Sequence, residues 1–284
     1  MASLEILTGR NYLSYSSLTS WLDCGERFRL ERVMGAPQQD AWWFIGGHTV
    51  HTATELLDKG DERSPAAVFR SVWNTAIQEL HDKGVDIDTI KAGGRKSAQW
   101  PNKENHHYWS QMGPVMVEGW VRWRDATLHK GWQFYVLPDG TPAVEVPVQI
   151  EFDDVLVKGY IDRVFVTEDG EAVVVDLKSG SRTPDSTLQL GVYALGMERN
   201  FGIKPTLGAY YMTRKVDIDG MNSLLHYTHN VVGKWFSNAK RGIEVQAFVP
   251  HVGPFCGSCG VAKYCKAMGG DDSELVRAKQ DATS

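Results

Sequence analysis

The stretch that most restricts the fold is VLVKGYIDRVFVTEDGEAVVVDLK, residues 155–178. Two runs rich in β-branched residues flank the turn-forming TEDG, which is the pattern of a β-hairpin. Each run carries an aspartate among apolar residues: Asp162 in the first, and Asp176 directly after Val173, Val174 and Val175 in the second. Side chains alternate along a strand, so Asp176 and Lys178 share one face while Leu177 points to the other. Pairing of the two runs brings Asp162 close to Asp176. Carboxylates so placed can hold a hard divalent cation, magnesium or manganese. A lysine beside that ion can orient or deprotonate water and steady a developing oxyanion. A plain structural reading stands beside this one: Asp162 pairs with Arg163 or Lys158, and Asp176 with Lys178, as ordinary charges at strand ends.

The rest of the chain surrounds this hairpin with helices. AVEVPVQIEF (143–152) precedes it as a further strand, and TLGAYYMT (206–213) and SLLHYTHN (223–230) read as later ones. Residues 16–33 read as one amphipathic helix, capped by Ser16 or Ser17, with Leu18, Trp21, Leu22, Phe28 and Leu30 as its apolar stripe. A second helix runs through GGHTVHTATELLDKG, opened by Gly46 and Gly47 and closed by Gly60. Residues 64–83, 107–130 and 231–241 also read as helices, as does a segment capped near Asp185 or Ser186. KAGGRKSAQWPNKENHH, 91–107, reads as a loop, and the final dozen residues as a frayed tail. The expectation is an α/β fold with a mixed β-sheet flanked by helices.

A chain of 284 residues can bury a sizeable core without covalent staples. Its net charge of −5 argues against wholesale polyanion binding and leaves room for a local basic groove. There is no apolar run of membrane-helix length, and the opening MASLEILTGRNYLSYSS lacks a basic segment followed by an apolar one. The chain therefore reads as cytoplasmic, with no membrane partner. In that reducing compartment, clustered cysteines serve more often as metal or redox ligands than as disulfides.

The hairpin resembles the catalytic core of the PD-(D/E)xK nuclease superfamily, and most closely its RecB-type branch. The G-x-x-D element corresponds to Gly159–Asp162 and the D-x-K element to Asp176–Lys178. The branch adds a Q-x-x-x-Y helix, matched by Gln189 and Tyr193, and an upstream G-x-x-x-H helix, matched by Gly47 and His51. The literal PD dipeptide is absent, since Ile161 precedes Asp162. The resemblance implies a restriction-endonuclease-like fold. It implies that His51, Asp162, Asp176 and the backbone carbonyl of Leu177 hold Mg2+ or Mn2+, that Lys178 is the catalytic lysine, and that Gln189 and Tyr193 position it, the water or the DNA. His48, one turn before His51, could compete for the ion. Glu55, one turn after, is either a partner of the ligands or a surface charge.

Three of the four cysteines form C-x2-C-x5-C near the C-terminus, at Cys256, Cys259 and Cys265, and the fourth, Cys24, lies far upstream in SSLTSWLDCGERF. This arrangement is similar to that of the iron–sulfur RecB-type nucleases, the AddB-like and CRISPR-associated RecB-like exonucleases. The resemblance implies one [4Fe–4S] cluster on these four thiolates, a clasp joining the two terminal regions. Zinc is the competing ion, although it usually takes two Cys-x-x-Cys pairs and only one is present.

DNA contacts are expected where positive charge gathers. Lys91, Arg95, Lys96 and Lys103 surround Trp100, and Arg122, Arg124 and Lys130 follow on a helix. Together these readings give one nuclease domain over 1–284. Residues 1–35 and 245–270 form its clasp, 60–135 a helical insertion, and 140–230 the catalytic core. The expected activity is a metal-dependent exonuclease on single-stranded DNA or free ends. The alternatives are a nucleic-acid-binding iron–sulfur subunit of a recombination, helicase or spacer-processing complex, and a redox sensor on the same scaffold.

Overall fold

The computed structural model describes residues 2–281. Along the chain run helices α1 (Leu4–Thr8), α2 (Tyr15–Asp23), α3 (Gly25–Phe28), α4 (Trp42–Asp58), α5 (Pro65–Asp82), α6 (His106–Leu128), α7 (Leu188–Phe201), α8 (His229–Glu244) and α9 (Ser273–Asp281). The strands are β1 (Tyr12–Leu13), β2 (Gln133–Phe134), β3 (Val144–Phe152), β4 (Val155–Val166), β5 (Ala172–Lys178), β6 (Leu207–Met212), β7 (Asp217–Ile218) and β8 (Asn222–Ser223). The chain divides into two compact units. One comprises Asp40–Val148 and Tyr160–Tyr227, and the other the segment up to Gln39, Gln149–Gly159, and the chain from Thr228 onward.

The first unit holds the mixed sheet. β5 pairs antiparallel with β4, Arg163 facing Val175 and Val166 facing Ala172. On its other edge it pairs parallel with β6, Val173 facing Leu207 and Lys178 facing Met212. Strands that run parallel need a crossover, and α7 supplies it between β5 and β6. A strand covered on both faces must be apolar on both, which is why β5 reads AVVVDLK rather than alternating. On one face, Leu190, Tyr193, Ala194 and Met197 of α7 pack with Val164, Val174, Tyr210 and Met212. On the other, Trp120 of α6 packs with Phe165, Val173, Val175, Leu177 and Tyr211. Helices α4, α5 and α6 enclose a third cluster around Trp42, Val50, Phe69, Trp73, Trp109 and Val117. The fold is thus α/β, a mixed sheet flanked by helices.

The second unit carries the four cysteines. β1 pairs parallel with the start of β4, Tyr12 facing Leu156. Phe152 stacks on Phe236 of α8, centroids 5.8 Å apart and planes 7° from parallel. Leu30, Ala36, Val261 and Tyr264 form a small buried cluster against which Cys259 and Cys265 pack.

Several expected boundaries move, each for a local reason. The helix read over 16–33 is interrupted. Ser14, not Ser16 or Ser17, caps α2 by accepting the Ser17 amide, and Cys24 takes an extended backbone, φ −164° and ψ 106°. α3 and a π-helical turn over Arg29–Val33 follow. α4 begins at Trp42, so Gly46 and Gly47 lie inside it and do not open it. A Cβ at Gly46 would stand 2.0 Å from the Trp109 ring, and one at Gly47 2.7 Å from Ser179 Oγ. These glycines serve close packing at some cost in helix propensity. SLLHYTHN is not a strand: only Asn222 and Ser223 pair, and Thr228 already caps α8. Of the expected frayed tail, Ser273–Asp281 is helical, and 282–284 lie outside the described residues.

Candidate functional site

The antiparallel register of β4 and β5, in which Arg163 faces Val175, places Asp162 opposite Asp176 one residue further on. Their carboxyl groups therefore leave the same face of the sheet. Asp162 Oδ2 accepts the Leu177 amide at 2.8 Å, which fixes its rotamer across the hairpin. Lys178 Nζ stands 2.6 Å from Asp176 Oδ2, along the same strand face. It also donates to Gln189 Oε1 at 2.9 Å, and Gln189 Nε2 donates to Tyr193 Oη at 2.9 Å. One helical turn separates Gln189 from Tyr193 on α7, so the two side chains meet in a line that ends on the lysine.

His51, on the third turn of α4, approaches from the helical side. Its Nδ1 lies 3.5 Å from Asp162 Oδ2. Ligand atoms of His51, Glu145 and Asp162 all lie within 4.8 Å of one another. Two carboxylates and an imidazole converging at this spacing suit a divalent cation that takes oxygen and nitrogen donors. Glu145 is the residue that sequence reasoning missed. It sits in β3 among the outward residues Pro147, Gln149 and Glu151, and the alternation marks it only as a polar, solvent-side position. Its backbone lies in the left-handed region at φ 53°, an uncommon conformation for a side chain of this kind.

Burial sets the protonation of the group. It pushes His51 down to about 4, against the attraction of Asp176, so the imidazole is neutral and able to donate a lone pair at neutral pH. Burial raises the Asp162 carboxyl, opposed chiefly by the Arg163 charge and the Leu177 amide. It raises Asp176 as well, reinforced by Asp162 and opposed by Lys178. Glu145 is pushed up to about 7, again by burial first and then by Asp162. Acids crowded in this way favour an arriving cation, which relieves both desolvation and mutual repulsion.

Arg163 does not pair with the Asp162 carboxylate. Its guanidinium donates instead to the Asp162 carbonyl oxygen at 2.6 Å, to Asp58 Oδ2 at 2.5 Å and to Thr54 Oγ1 at 3.3 Å, and lies 3.5 Å from Glu145 Oε1. The Asp58 side chain is fully buried and is bound in addition by Arg124 at 2.7 Å and by the Trp120 indole at 3.0 Å. The expected DNA contacts divide accordingly. Arg124 faces inward onto Asp58, while Arg122 is exposed. Trp100 is half-buried with its ring edge-on to Tyr108 at 4.9 Å, whereas Arg95, Lys96 and Lys103 of the same loop are exposed and Lys91 half-buried. His48 is exposed on α4 one turn before His51, and Glu55 forms a 2.7 Å ion pair with Lys59.

The four cysteines carry free thiols and all belong to the other unit. The His251 amide donates to Cys24 Sγ at 3.3 Å, and the Gly253 amide donates to Cys256 Sγ at 3.3 Å. Burial raises the Cys259 thiol, opposed by the Val261 amide and the Arg27 charge. Backbone amides aimed at two sulfurs and a cation beside a third suit thiolate ligands.

With this geometry in place, the class of the protein is defined by sequence as well. The pattern of the PD-(D/E)XK nuclease superfamily matches residues 12–266, and the chain belongs to that superfamily. It is similar to the Gene 69 protein of Mycobacterium phage D29, 28% identical over 274 residues that cover 89% of this chain and 95% of that one. It is likewise 27% identical over 284 residues to the Gene 69 protein of Mycobacterium phage L5, with the same coverage. Among solved structures, a Eubacterium rectale protein provisionally named an exonuclease superposes with a TM-score of 0.44 at 12% identity, over 84% of this chain and 80% of that one. No helix among the described residues is long and apolar enough to cross a membrane.

Proposed function

We propose that the protein is a metal-dependent DNA nuclease of the RecB-type iron–sulfur branch, acting on single strands or free ends. The observation that carries this reading is the meeting of His51, Glu145 and Asp162 beside the Asp176–Lys178 pair. His51, Asp162, Asp176 and Glu145, with the Leu177 carbonyl, would hold Mg2+ or Mn2+. Bound there, the ion supplies charge neutralisation at a phosphodiester and acidifies a water for in-line attack. The chain's own residues do the rest. Lys178 faces the reacting phosphate and stabilises charge that builds on its oxygens. Gln189 and Tyr193 hold the lysine in place, and the Leu177 amide holds the Asp162 carboxylate. Cys24, Cys256, Cys259 and Cys265 would hold a [4Fe–4S] cluster whose part is structural, tying residues 24 and 265 together within their own unit. In the domain reading that accompanies this function, 140–230 is the catalytic core of a single nuclease and 60–135 a helical insertion in it.

The test is release of nucleotides from end-labelled single-stranded DNA in manganese, comparing wild type with Asp176→Ala. Release by the wild type alone is expected, and blocking either end reads out the polarity. Equal release by both proteins would defeat the site assignment. Release by neither would favour a binding subunit of a larger complex.

A further inference from the structure

The cleft of about 600 Å3 that contains the acids has a second feature which catalysis does not use. Its wall includes Phe44, a residue 60% exposed, on the same helix as His51. Phe44, His48, His51 and Glu55 follow one another at helical spacing and share one face of α4, with Phe44 two turns, about 10 Å, from His51. The opposite face of the helix is fully used: Trp42, Val50 and Ala53 are buried in the core. Phe44 is thus the large apolar side chain of α4 that folding leaves in water. Its neighbour Trp43, centroids 5.6 Å apart, backs it from one side. Trp43 lies in turn against Gly93, where a Cβ would meet it at 2.9 Å, and Gly93 belongs to the loop carrying the exposed Arg95 and Lys96.

Resting on the nuclease reading of the acids, we infer that Phe44 is a stacking platform for one unpaired nucleobase of the strand whose phosphate reaches His51 and Asp162. The ring is exposed and attached to the ligand-bearing helix, about 10 Å along its axis from His51. The loop that meets Trp43 at Gly93 carries the exposed cations Arg95 and Lys96. A cleft of this size accommodates a nucleotide or two. Stacking on one ring is indifferent to base identity, so the platform selects for unpaired strand, not for sequence. The helix that brings the imidazole would then also measure where the strand is cut.

The experiment measures binding apart from chemistry. Fluorescence anisotropy is recorded for labelled single-stranded oligothymidylate on the Asp176→Ala protein, alone and combined with Phe44→Ala or Phe44→Trp. The same oligonucleotide is then used with a single abasic site moved along it. Phe44→Ala should weaken binding roughly tenfold, Phe44→Trp should restore it, and the Phe44→Ala loss should vanish when the abasic site occupies one particular position. An equal loss on every abasic oligonucleotide, or no loss at all, overturns the platform. An equal loss on a blunt duplex overturns the assignment to an unpaired base. An inactive wild type that retains the position-specific loss would sink the nuclease reading alone. An active one without it would sink only the platform.

Discussion

Asp162 and Lys178 are joined through a single backbone amide: Asp162 Oδ2 accepts the Leu177 N–H, and Lys178, the next residue, is carried back onto Asp176. The acid of one strand is therefore held by the peptide between the acid and the base of the next. A shift of register by one residue would turn the second strand's acid and lysine to the opposite face.

Lys178→Gln removes the charge and keeps much of the length. Turnover should fall by about 100- to 1000-fold, as when one transition-state donor is lost. Manganese affinity should hold or rise, because the competing cation beside Asp176 is gone. A loss confined to kcat in steady-state nucleolysis supports the assigned role. A rise in KM with unchanged kcat would make Lys178 a substrate-binding residue only. Gln189→Ala should produce a smaller fall of the same kind, since it frees the lysine without removing it.

Much of this site was legible because strand alternation is strict. Because successive side chains of any strand leave opposite faces, pairing the two runs around TEDG was enough to bring Asp162, Asp176 and Lys178 to one face, and the Gln189–Tyr193 spacing to align those two side chains. Glu145 was not legible, since its outward position in β3 looks like that of Pro147 or Gln149. What distinguishes it is a left-handed backbone, a torsion no composition reveals. Gly46 and Gly47 misled for the opposite reason. Glycine in a helix suggests an end, and here it marks the approach of Trp109 and Ser179. Asp58, far from any motif, gave no sign that it would meet Arg163 across more than a hundred residues.

The pH dependence of metal binding should follow the carboxylates and not the histidine. An acid whose folded-state value lies above its unfolded one holds more protons when folded, so its contribution to stability is greatest at low pH and declines as pH rises through that window. Asp162, Asp176 and Glu145 behave so, with Glu145 reaching about 7. His51, lowered to about 4, runs the other way: its contribution is complete above the unfolded value and is lost as pH falls toward 4. Metal binding requires all ligands deprotonated. In titration calorimetry, Mn2+ affinity should climb between about pH 5 and 7.5, Glu145→Gln should flatten the upper part of that climb, and His51→Ala should weaken binding at every pH. A midpoint that moves only with His51→Ala would refute this ordering.

The buried pair Asp58–Arg163 should be costly to break. Both side chains are fully shielded from water, and Arg163 also holds the Asp162 carbonyl. Asp58→Ala leaves a buried guanidinium without its anion and should destabilise the fold by about 3–5 kcal/mol in urea unfolding. Arg163→Lys keeps the charge but cannot reach Asp58, Thr54 and the Asp162 carbonyl together. It should therefore lower Mn2+ affinity more than its loss of stability explains. If Arg163→Lys unfolds at a lower denaturant concentration yet binds Mn2+ as the wild type does, the pair is structural and has no part in placing Asp162.

The cysteines allow a test that does not involve the nuclease reaction. Four cysteines, two of whose sulfurs receive backbone amides, suit a soft metal centre. Anaerobically prepared protein should be brown, with a broad absorption at about 400 nm. Cys24→Ser should bleach that absorption, because Cys24 would be the ligand supplied from outside the Cys256–Cys265 segment. The variant should also lower the unfolding temperature, since the tie between residue 24 and residues 256–265 would be lost. Asp176→Ala should leave the colour intact, because that residue belongs to the other unit. Colourless protein containing one equivalent of zinc would assign the site to zinc. Cys24→Ser protein with unaltered colour would show that the cluster, if present, is held without the upstream cysteine, and the clasp would then have to be abandoned.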